Sequence, residues 1–123
     1  MPTEPMPPTL AEIVDRVADV VDPTGVNDGV AYVVERFQDR DEPVTAEHQV
    51  LEQELAETIG RVDPQEEDPA LIVMAAAVLH LAHRPDELNV EPARILQQAA
   101  RHEYHGKPPE AVADWLAAQG VPL

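Results

Sequence analysis

Five histidines are the side chains here best suited to chemistry: His48, the pair His80 and His83, and the pair His102 and His105. Both pairs have the spacing HxxH. Helical residues three apart share a face, so either pair could offer two imidazoles to one cation. His80, His83, His102 and His105 are therefore the candidate ligands of a divalent transition metal, with Glu103, or Glu47 beside His48, as a carboxylate companion. Both pairs fall at the ends of predicted helices. Helices joined by a short turn pack antiparallel, which predicts the pairs at opposite poles and a metal held by one pair. The competing reading is structural, because imidazoles in a last helical turn satisfy free carbonyls and suit the negative end of the dipole. The HExxH of zinc proteases and the ExxH of di-iron bundles are both missing.

Other chemistries have little to work with. The chain contains no serine and no cysteine, which removes the serine triad, thiol catalysis, disulfides and cysteine-ligated metals. Five scattered glycines form no phosphate loop. Two acidic clusters, Asp39 to Glu42 and Glu66 to Asp68, offer loose Ca²⁺ or Mg²⁺ ligation as an alternative; the first lacks the calcium-loop pattern, and both read as solvated faces. No catalytic residue can be named, and no cofactor other than the metal alternative is implied. The expectation is a protein that is not an enzyme.

Charge is the strongest compositional signal. Twenty-four acidic residues oppose eight basic ones, for a net charge of −16. A surface of that sign repels nucleic acid and anionic membranes. It favours a partner with a basic face, and its weaker corollary is mimicry of a nucleic-acid backbone. An acidic, lysine-poor proteome accounts for the same composition. No apolar run reaches the ~20 residues that span a bilayer, and MPTEPMPPT lacks the basic and apolar regions of a secretory signal. A cytoplasmic protein is expected.

The elements that must position these residues are helices throughout. Residues 1–8 carry four prolines and read as a disordered lead-in, followed by one helical domain over 9–123. Thr9 and Glu12 form a capping box, and Leu10, Ile13, Val14, Val17, Val20 and Val21 make one apolar stripe, closed by Asp22-Pro23 and Gly25. A second helix is predicted from Asn27 or Asp28 to Asp39. A third, capped by Thr45, runs over 46–62 with Leu51, Leu55, Ile59 and Val62 inward. Asp68-Pro69 starts a fourth helix to His83 that is apolar on every face and hence central and buried. A fifth spans about 90–105 with Ile95, Leu96, Ala99 and His102 inward. The sixth runs to Gln119 with Val112, Trp115 and Leu116 inward. No internal repeat is evident.

Residues 110–121, EAVADWLAAQGV, resemble the short terminal helices of small helical DNA-binding folds, without the basic residues such domains place on DNA. The expected architecture is all-α: a bundle of about six helices around residues 69–83. Three functional expectations follow. The first is a protein–protein interaction or regulatory module, self-association included. The second is a metal- or ligand-binding bundle using the HxxH pairs. The third is a nucleic-acid mimic that captures a basic partner.

Overall fold

The computed structural model describes residues 8–42 and 48–121. Among the described residues six α-helices follow one another: α1 (Leu10–Val21), α2 (Asp28–Phe37), α3 (His48–Val62), α4 (Pro69–His83), α5 (Pro92–Tyr104) and α6 (Glu110–Ala118), with a 3-10 turn at Pro85–Glu87. No strand occurs among the described residues. The all-α bundle expected from the 3.6-residue apolar spacing is the fold. The proline-rich lead-in (bar Pro8) and the Thr45 cap lie outside the described residues.

Local chemistry sets the boundaries. Thr9 accepts from the Glu12 amide at 3.2 Å and donates its hydroxyl to the Glu12 carboxylate, so the predicted capping box closes through the side chains. The segment after α2 completes this cap, since the Arg40 and Glu42 carbonyls accept from the amides of Ala11 and Leu10. Arg40 also reaches α3, where its guanidinium bonds the Glu54 carboxylate at 2.6 Å.

The connectors α1–α2 and α3–α4 are built alike. Asp22 and Asp63, 41 positions apart, each follow a valine and precede a proline. The Asp22 carboxylate accepts from the amides of Val26 and Asn27. Asp63 accepts in the same way from Glu67 and Asp68. Three residues after each aspartate the backbone turns left-handed, at Gly25 (φ 69°) and Glu66 (φ 53°). Five residues after each stands the N-cap of the next helix, Asn27 or Asp68. These two caps meet, with Asn27 Nδ2 donating to Asp68 Oδ2 at 2.9 Å. Two helical hairpins thus pack with their equivalent caps in contact.

Helix α4 touches all five other α-helices, and Leu71, Val73, Met74, Ala77, Val78 and Leu81 are buried along it. One strip of α4 stays half-exposed: Ile72, Ala75 and Leu79. Positions three and four apart lie on one helix face, so these three form a line. In α3, Leu51, Leu55 and Ile59 point inward as expected, but Val62 is 40% exposed. It occupies the final turn, where the chain is already leaving toward the Asp63 connector. In α5, Ile95, Leu96 and Ala99 are buried, whereas His102 is exposed. Trp115 of α6 is half-buried against the core formed with Val112 and Leu116.

Candidate functional site

The predicted histidines do not separate to opposite poles. His80 Nδ1 lies 3.2 Å from His102 Nδ1, and the two rings meet edge to face with centroids 5.2 Å apart. The ring of His83 stands 6.3 Å from that of His102. The antiparallel expectation fails because residues 84–91 are not a tight turn. Arg16 of α1 draws this connector across the bundle, donating from Nε to the Leu88 carbonyl at 3.0 Å and from Nη2 to the Val90 carbonyl at 2.9 Å. The last turn of α5 lies beside His80.

His80 is 3% exposed. Its Nε2 lies 3.0 Å from Glu87 Oε2, in a contact that lacks hydrogen-bond alignment and leaves Nε2 without such a partner. Burial pushes the His80 imidazole below its ordinary pKa; the Glu87 carboxylate works against that shift, and His102 adds to it. His105 sits apart from the cluster, exposed and left-handed (φ 52°) where α5 ends. Among the described residues, no three His, Asp or Glu side chains converge on one point as a ready metal cage. The structure thus brings together His80, His102 and, more loosely, His83. It adds Glu87, which carries no spacing signal, and omits His105.

A second feature lies on the neighbouring face. Between α3 and α4 runs a groove of about 290 Å³. Its floor and walls include Leu55, Ile59, Ile72, Ala75, Leu79 and Tyr104, and carboxylates of Glu52, Glu66 and Glu103 stand at its border. Tyr104 reports the local field: burial raises its hydroxyl pKa first, and the negative charges of Glu103 and Glu66 raise it further.

The α1–α2 hairpin forms a corresponding groove. All ten residues that line it have counterparts 41 positions later lining the α3–α4 groove. The backbone setting recurs while the side chains change character. Asp15 corresponds to Ala56, Asp19 to Gly60, Glu35 to Ala76 and Gln38 to Leu79. Four polar side chains on the first groove are thus replaced on the second by small or apolar ones. The Ile72–Ala75–Leu79 strip is the signal that sequence reading overlooked, since it is visible only once the other faces of α4 are covered.

No helix among the described residues is long and apolar enough to cross a membrane. Comparison of the chain with protein families, characterised proteins and solved structures found no match in any of the three.

Proposed function

We propose that this protein is a non-enzymatic docking module that receives a basic, amphipathic helical segment of a partner protein in the α3–α4 groove. The observation that carries this reading is the internal comparison. Four polar side chains of the first groove (Asp15, Asp19, Glu35 and Gln38) are small or apolar at the equivalent positions of the second, which keeps carboxylates at its border and leaves an apolar strip of α4 half-exposed. At about 290 Å³ the groove lies just below the roughly 300–1,000 Å³ range of drug-sized ligand sites. It suits a few anchoring side chains on one face of a helix, the usual helix-in-groove mode. The acidic border and the net charge of −16 specify the flanks of that helix as Lys- and Arg-rich. They also speed its approach, at a rate that falls as salt is added.

The test is fluorescence anisotropy with a labelled helical peptide carrying Leu or Phe at positions i, i+3, i+4 and i+7 and lysines elsewhere. A scrambled peptide of the same composition is the control. The patterned peptide is expected to bind at least tenfold more tightly, about 1.4 kcal/mol. Amide shifts are expected at Ile72, Ala75, Leu79 and Tyr104, and Ala75→Arg should abolish the difference between the peptides. Equal binding of both peptides, or shifts confined to the α1–α2 side, would overturn the proposal. Occupation of the groove by a second copy, seen as a concentration-dependent mass that Ala75→Arg removes, would overturn it as well.

A further inference from the structure

We propose that His80 and His102 form a binding site for a divalent first-row transition metal, with Glu87 as the carboxylate that orients His80. This inference does not depend on the groove. It rests on two features of one cluster. First, the two Nδ1 atoms are 3.2 Å apart. An ion about 2.0–2.1 Å from each, the usual distance to imidazole nitrogen, would subtend them at an angle near tetrahedral. Second, the opposite nitrogen of His80 faces Glu87 Oε2 at 3.0 Å. The negative charge at that distance favours the proton on the far nitrogen and leaves the near nitrogen with its lone pair free, the role a carboxylate plays behind a ligating histidine.

The site is half-built from within and open from outside. His80 is buried, whereas His102 is exposed, so an ion reaches the paired nitrogens from solvent and keeps water at its remaining positions. The ring of His83 lies 6.3 Å from that of His102. Imidazole ligands favour zinc, copper, nickel and iron over magnesium and calcium. Binding needs no redox step. In the metal-free protein, one proton bridges the two Nδ1 atoms. The ion replaces it, and a neutral His102 carries its proton on Nε2 instead.

Isothermal titration of tag-free protein with ZnCl₂ and with NiCl₂, followed by Co²⁺ absorption, tests the site. One ion per chain is expected. His102→Ala removes an exposed side chain and leaves the core intact. It should cost at least ~10-fold in affinity, and Glu87→Gln about 10- to 100-fold, the usual penalty for an orienting partner. His105→Ala should change nothing. Paramagnetic broadening by Ni²⁺ should centre on residues 80, 87 and 102. Absence of one-to-one binding, or binding that His102→Ala leaves unchanged, would overturn the proposal and reduce the pair to a hydrogen-bonded contact only.

Discussion

His80 has the most unusual environment of any single residue here, and its consequence is a dependence of stability on pH. Its imidazole is held below the ordinary value chiefly by burial, with the Glu87 carboxylate opposing and His102 reinforcing the shift. The unfolded chain therefore binds the proton more readily than the folded one. Stability is fully present above about pH 6.5, the ordinary histidine value, and is lost as pH falls from there toward the lower folded value. In chelator, the urea midpoint should fall between pH 8 and pH 5.5, a window in which carboxylates scarcely titrate. His80→Gln should flatten that slope, measured against wild type at each pH. An equal slope in the variant would assign the pH dependence to other groups.

At the scale of elements, the twin connectors make a prediction of opposite signs. Gly25 and Glu66 occupy equivalent left-handed positions. Such a backbone costs a residue with a Cβ roughly 1–2 kcal/mol, and glycine very little. A Cβ at Gly25 would meet nothing within 4 Å, so Gly25→Ala isolates the backbone cost, and about 1 kcal/mol of destabilisation is expected. Glu66→Gly at the equivalent site should stabilise by several tenths of a kcal/mol or more, because strain is relieved at a residue already exposed. Urea unfolding of the two variants decides the point. Two losses would show that the connectors, despite their shared hydrogen bonds, are not equivalent. Much of this element-level structure is legible from sequence. Thr9, Asn27 and Asp68 each cap the predicted helix with a side-chain acceptor, since capping depends on residues within one turn. Val62 and His102 were misplaced because both lie in final turns, where periodicity no longer dictates which side faces the core.

At the scale of the molecule, the charge of −16 sits on a bundle whose ion pairs engage few of the acids. Among the described residues, Arg40 joins Glu42 and Glu54, and Arg84 joins Asp86 and Glu87. Most carboxylates remain to repel one another, and that repulsion opposes the compact state. The screening length falls from about 30 Å at 0.01 M salt to about 10 Å at 0.1 M. The melting temperature should therefore rise on adding NaCl over that range, and NaCl and KCl should act alike. A melting temperature indifferent to salt would mean that the acids are too dispersed to matter. The same field steers a basic helix toward the α3–α4 groove, so one salt titration should strengthen the fold while weakening peptide binding.

Helix identity, capping and the inward faces follow from neighbours within four residues, and the order of the chain specifies those neighbours completely. The histidine cluster and the groove depend instead on contacts between residues far apart in the chain. Arg16 binds the carbonyls of Leu88 and Val90, 72 and 74 residues away, and His80 meets His102, 22 residues away, contacts that no local pattern encodes. Likewise, α4 is apolar on every face, and its composition does not mark which strip stays open. That was settled by how five other helices divided its surface, because burial belongs to the assembled packing and not to any one segment.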